Sequence, residues 1–168
     1  MKKLSIICLT VLSVVLLVSC RGPKGEPGNA NVASSTLTIE SSEWHWVNNC
    51  QWKVDIDFPA ITSTVYNYGA VLVYMYVDGA WSQVPLTYYY QDVNSAGETI
   101  NCQASIEVAT LDDGGVRLFW TESDFYDGYR PQTRKFKVVA IEASVYNHRT
   151  DVDYSDYNAV KTAFQLAD

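Results

Sequence analysis

From Thr36 onward, apolar residues recur at every second position in short runs separated by turn-forming residues, which is how antiparallel strands with one buried face read. Trp52, Val54, Ile56 and Phe58 alternate with Lys53, Asp55 and Asp57, so this strand is predicted to have one wet face. Val71, Val73, Met75 and Val77 run into Asp78-Gly79 and then Ala80-Trp81, and Asp-Gly between apolar runs is the strongest short hairpin signal. A two-residue loop sets Val77 opposite Ala80 and Tyr76 opposite Trp81. The valines, Met75 and Val84 then share one face, and Leu72, Tyr74, Tyr76 and Trp81 the other.

A second hairpin is predicted where Ile100, Cys102, Ala104, Ile106 and Val108 meet Asp112-Asp113-Gly114-Gly115 and are answered by Val116, Leu118 and Trp120. The run from Arg134 to Ala143 is apolar on both parities, with Phe136, Val138 and Ala140 on one face and Val139 and Ile141 on the other. That makes it a central strand. Near the end the period changes: Tyr157, Val160 and Phe164 are three and four apart, predicting a short helix from about Ser155 to Phe164 with Ser155 or Asp153 as its cap. Seven or eight strands, hairpin turns and one late helix make the fold class mainly all-β, an antiparallel β-sandwich over residues 36–168.

The N-terminus follows different rules. Lys2 and Lys3 precede an apolar run from Leu4 to Val18, the form of a secretory signal over residues 1–19, and the run is slightly short for a membrane-spanning helix. It stops at Leu17-Val18-Ser19-Cys20. These four residues resemble the lipobox of bacterial lipoproteins, and the resemblance implies a diacylglycerylated thiol on Cys20, removal of the preceding peptide and acylation (palmitate or similar) of the new amine. A lipidated chain is tethered to a membrane without spanning it. Arg21 stands where an enterobacterial inner-membrane retention signal has Asp, so the resemblance implies the outer membrane, with its periplasmic and surface faces both compatible.

Residues 20–35 read as a spacer. Within them Gly22, Gly25 and Gly28 recur every third position with Pro23 and Pro27 between, similar to the collagen-like stub that follows the lipidated cysteine in lipoproteins of some Gram-negative bacteria. Two triplets are too few for a triple helix by themselves, and a stiff stand-off between lipid and domain is the simpler reading.

Composition narrows the function. Removing residues 1–19 takes two of the 12 basic side chains and none of the 19 acidic ones, which moves the formal charge from −7 to −9. Nucleic-acid recognition begins with a basic patch and is not expected. With Cys8 in the signal and Cys20 at the anchor, Cys50 and Cys102 remain for the domain. Both fall on core-facing parity. A disulfide between the sheets and a pair of buried free thiols both meet these parities.

His45 and His148 have no metal-type partner at i+4, and no nucleophile or phosphate-loop motif is present. Two carboxylate pairs, Asp55 with Asp57 and Glu122 with Asp124, have the spacing of about 7 Å that inverting glycosidases use, although any solvated strand face offers such a pair. Asp151, Asp153 and Asp156 supply oxygen ligands of the kind calcium prefers, and equally suit a solvated helix start. No other cofactor beyond the covalent lipid is expected.

Twelve Tyr and five Trp make the chain rich in aromatic residues, and these are the main functional lead. Tyr74, Tyr76 and Trp81 share a face that either binds sugar rings or a protein partner, or is covered by the late helix. Tyr88, Tyr89 and Tyr90 add both parities beyond them, and Trp44 and Trp46 invite the same two readings. The expectation is a non-catalytic, membrane-tethered binding or structural module, glycan-binding or adhesin-like, with an envelope glycan or protein as partner. A glycan-processing enzyme using a carboxylate pair is the alternative.

Overall fold

The computed structural model describes residues 31–48, 50–94, 96–125 and 130–167, so the signal, Cys20 and the collagen-like stretch lie outside the described residues. In chain order the strands are β1 (Val32–Ile39), β2 (His45–Val47), β3 (Gln51–Asp57), β4 (Ala70–Val77), β5 (Ala80–Val84), β6 (Leu86–Val93), β7 (Thr99–Leu111), β8 (Gly115–Glu122) and β9 (Arg134–Ile141). Among the described residues there are also three short helices, α1 (Ser63–Tyr68), α2 (Ala143–Tyr146) and α3 (Tyr157–Phe164), and one 3-10 turn at Ser41–Glu43. The strands form two sheets, β1-β9-β4-β5 and β2-β3-β8-β7-β6. All pairing is antiparallel. The sandwich expected from the alternation is therefore present.

Period-2 patterning decides what lies between the sheets. Trp52, Val54 and Ile56 of β3 and Val116, Leu118 and Trp120 of β8 face Val73 and Met75 of β4 and Phe136, Val138 and Ala140 of β9 in one continuous core. Trp44 joins them, 1% exposed and against Trp120 and Phe136 at ring separations of 6.2 and 6.4 Å. On β3 the alternating Asp55 and Asp57 face water.

The four-stranded sheet differs because it is covered twice. Leu72 and Tyr74 of β4 and Val139 and Ile141 of β9 turn away from the sandwich core and pack under Tyr157, Val160, Phe164 and Leu166. Burying side chains of this kind is worth about 1.5–3 kcal/mol each, enough to hold an eight-residue helix that has little stability alone. The helix begins two residues later than the sequence suggests. Asp156, not Ser155 or Asp153, is its N-cap, accepting from the Asn158 amide.

Three boundaries depart from the sequence reading. β1 starts at Val32, four residues before the Thr36 at which the alternation becomes legible; Ser34 and Ser35 lie on an edge strand and conceal it by lacking apolar alternation. Tyr88 to Tyr90 do not extend the hairpin arm after Trp81. At Pro85, which has no amide proton for a ladder, the chain leaves the four-stranded sheet, and β6 becomes an edge of the other. α1 is also new, capped by the Thr62 hydroxyl and closed at Gly69, where any side chain would strike the Ile141 carbonyl.

Strand direction gives the sandwich two poles. β1 enters beside Ile141 and Ala70 and ends beside Arg134, so the N-terminal pole and the distal pole are separated by the length of an eight-residue strand, roughly 24 Å. α1, the Asp112 to Gly115 turn and α2 lie at the N-terminal pole. The Asp78-Gly79 hairpin, the end of β8 and the loops after Val93 and Glu122 lie at the distal one.

Candidate functional site

The aromatic row splits between burial and exposure. Tyr74 is fully buried, its hydroxyl donating to the Tyr154 carbonyl at 2.8 Å and its ring set edge-on to Tyr157 at 5.3 Å. Burial raises its phenol well above the usual range. Trp81 is wedged between Tyr76 at 5.1 Å and Tyr157 at 5.7 Å, and of the three only Tyr76 is substantially exposed. Tyr74 and Trp81 therefore belong to the seat of α3, and Tyr76 flanks Trp81 outside it. They do not make the flat exposed platform that sugar binding at this face requires.

The acidic segment near the C-terminus is likewise absorbed locally. Asp151 takes a two-pronged bond from Arg149 at 2.9 and 3.1 Å, Asp153 accepts from the Ser155 amide and hydroxyl, and Asp156 caps α3. These contacts hold the carboxyls of Asp151 and Asp153 below their ordinary values. Among the described residues no group of three or more His, Cys, Asp or Glu side chains is placed to hold a metal ion. Asp151, Asp153 and Asp156 thus serve here as ion-pair, turn and cap acceptors.

Cys50 and Cys102 are free thiols. Cys50 leads into β3 and Cys102 lies on β7, with β8 between them in one sheet. Two strand spacings amount to about 9.5 Å, beyond the 7 Å or so that a bridge spans. The inter-sheet disulfide is therefore corrected: parity places both cysteines properly, but on the same sheet.

Of the two carboxylate pairs, Asp55 is consumed on the outer surface of the five-stranded sheet. Arg117 donates to it at 2.6 and 2.8 Å and Lys53 at 3.3 Å, and the Arg117 bond keeps its carboxyl below the usual range. Glu122 behaves differently. At the end of β8 it points inward and is 6% exposed, with one carboxylate oxygen accepting from the Tyr90 hydroxyl at 2.8 Å and from the Trp120 indole N–H. Burial raises its pKa, the two donors oppose the rise, and Asp124 and Asp92 reinforce it.

Around Glu122 the distal pole is closed by stacked cations. Arg134 lies over Tyr88 at 5.3 Å and Trp120 at 5.9 Å, and Arg130 over Trp52 at 5.1 Å. The space among Tyr90, Asp92, Glu122, Arg130 and Arg134 is about 40 Å³. That is room for a water molecule and not for a sugar ring.

The outer face of the five-stranded sheet is the surface that sequence reasoning passed over. Gln51, Thr121, Ser105 and Thr87 stand side by side on β3, β8, β7 and β6, with Gln51 donating to the Thr121 hydroxyl at 3.3 Å. Next to this row Gln103 pairs with Tyr89, and Phe125 follows the end of β8; Tyr89 is 72% and Phe125 59% exposed. Two open depressions lie here, about 190 Å³ bordered by Gln103, Thr121 and Phe125 and about 280 Å³ bordered by Pro85 and Thr87. Both are lined by Ser105 and Glu107, so they adjoin. In sequence these residues look like any wet strand face, and only the registration of four strands brings them together.

No protein-family model, no curated protein and no solved structure matches the chain.

Proposed function

We propose that this chain is a lipid-anchored protein of the bacterial outer membrane whose β-sandwich works by binding or assembly and not by catalysis. The observation that carries the reading is the asymmetry of the sandwich. A helix and the chain end seal the outer face of one sheet, while the other keeps an open face with a polar row and exposed aromatic rings beside it. Binding surfaces combine apolar rings with a few polar groups in this way. The lipobox-like Leu17-Val18-Ser19-Cys20 supports the anchor, and the entry of β1 at the N-terminal pole orients the distal loops away from a membrane.

The test is metabolic labelling of cells producing the full chain with an alkyne fatty acid, followed by membrane fractionation. Label is expected on the wild type in the outer membrane, and is expected to vanish in Cys20→Ala or under globomycin. Persistence of label in that variant, or a purified native protein that begins at Met1, overturns the anchor.

One observation favours the enzyme alternative: Glu122 is a buried carboxyl with a raised pKa, the attribute of a general acid. Its oxygen is already engaged by Tyr90 and Trp120, and the space beside it is too small for a sugar. The binding reading expects no release of reducing ends from oligosaccharides, whereas release abolished by Glu122→Gln establishes the enzyme.

A further inference from the structure

The two adjoining depressions on the outer face of the five-stranded sheet share a floor of hydroxyl and amide side chains. Ser105 is common to both, Thr121 and Gln103 border the first and Thr87 the second. Hydroxyls and carboxamides both donate and accept, which matches a ligand made of hydroxyls. Phe125 lines the first depression and Tyr89 pairs with Gln103 at its border, both exposed, and aromatic rings of this kind suit the C–H surfaces of a pyranose.

We propose that this groove binds a chain of neutral sugar residues, consecutive rings occupying the two depressions. The inference rests on the binding reading above and names the ligand class for it.

Charge separates this ligand from an acidic glycan. The protein is acidic, with formal charge −7, and neither depression is lined by Lys or Arg. The charged side chains lining them are Glu107 and Glu122, and the carboxylate of Glu122 is turned inward to Tyr90 and Trp120. The nearby cations Lys53 and Arg117 are held by Asp55. An anionic polymer therefore meets repulsion here with no free guanidinium to offset it.

Position separates it from a peptide. Extended peptides add to a sheet by pairing with the backbone of an edge strand. The first depression lies across the face of β7 and β8, whose backbones are already paired on both sides, and the second reaches from β7 to the start of the edge strand β6. Over the first depression recognition runs through side chains, which suits a ligand with no strand-pairing backbone.

Two depressions also imply a length requirement. A single sugar fills one of them, and a linked pair engages both at little extra ordering cost.

The test uses the full-length lipidated protein in detergent micelles, titrated calorimetrically with cellotetraose, mannotetraose, laminaritetraose and chitotetraose, their monosaccharides, and tetragalacturonate. Saturable binding of at least one neutral tetrasaccharide is expected, at least about tenfold tighter than its monosaccharide, with Phe125→Ala and Tyr89→Ala each weakening it about tenfold. Tyr76→Ala, an exposed ring on the other sheet, is expected to leave affinity unchanged. Unchanged unfolding midpoints show that the variants are folded.

Three results overturn the proposal: no neutral oligosaccharide bound at millimolar concentration, binding that survives both aromatic substitutions, or preference for tetragalacturonate. Fatty-acid label is read on the same preparation. Failure of sugar binding with the label intact removes the glycan inference alone, and loss of the label removes the wider reading.

Discussion

Burying a carboxylate costs several kcal/mol unless its oxygens receive donors, and Glu122 receives two on one oxygen. Burial still outweighs them, so the folded protein holds the Glu122 proton to a higher pH than an ordinary glutamate. An unfolded glutamate titrates near about 4.3. Between that value and the raised folded one, the folded state binds more protons than the unfolded, so stability falls as pH rises through this window and levels off above it. Glu122→Gln keeps an acceptor oxygen for Tyr90 and Trp120 and does not titrate. Urea unfolding from about pH 4 to about pH 8 is expected to show the wild type losing stability relative to this variant. A difference that stays constant across the range counts against the assignment. Sequence made part of this legible: alternation along β8 places position 122 on the inner parity with Leu118 and Trp120. What it lacked was the cover, because Tyr90 and Arg134 come from strands whose placement no local pattern specifies.

At the scale of elements, the Asp78-Gly79 hairpin and the two-faced β9 follow from local chemistry. Val77 does pair with Ala80 and Tyr76 with Trp81, and β9 sits between β1 and β4. The move of β6 to the other sheet does not follow from local chemistry, because alternation is the same whichever sheet a strand joins. The C-terminal layer shows how a buried charge fixes one such choice. Lys137 is 2% exposed; its ammonium donates to the Tyr157 hydroxyl at 2.6 Å and the Ala167 carbonyl at 3.3 Å. The same group lies 4.7 Å from the Tyr157 ring centre and 5.1 Å from that of Trp81. It ties β9, β5 and the chain end together. Lys137→Ala is expected to cost about 2–4 kcal/mol, from lost packing of the stem and lost contact with the rings. Hydrogen exchange is expected to show α3 amides opening faster while those of β7 and β8 keep their order of protection. Lys137→Met, which keeps the stem, is expected to recover part of the loss. Unchanged exchange in α3 for the Ala variant removes Lys137 from this role.

For the whole molecule, the direction of β1 matters more than any single contact. It places the start of the described chain at the pole of α1 and α2, roughly 24 Å from the pole that carries the Asp78-Gly79 hairpin. Of residues 20–35, read as a stiff Gly/Pro spacer, the twelve that precede β1 span about 37 Å in the polyproline II form. With the proposed lipid on Cys20, a spacer of this length would let the domain turn but keep its N-terminal pole nearer the lipid on average than the distal one. The two depressions lie on the outer face of the five-stranded sheet, on the side of the sandwich away from α3. Labelled lipoprotein reconstituted in nanodiscs containing a nitroxide lipid tests the orientation. Signals from α1 and the Asp112 to Gly115 turn are expected to be attenuated more than those from Gly79 and Gly97. Equal attenuation at both poles, or the reverse order, contradicts the inferred arrangement, because a chain entering at Val32 and anchored at Cys20 has no geometry that favours the distal pole.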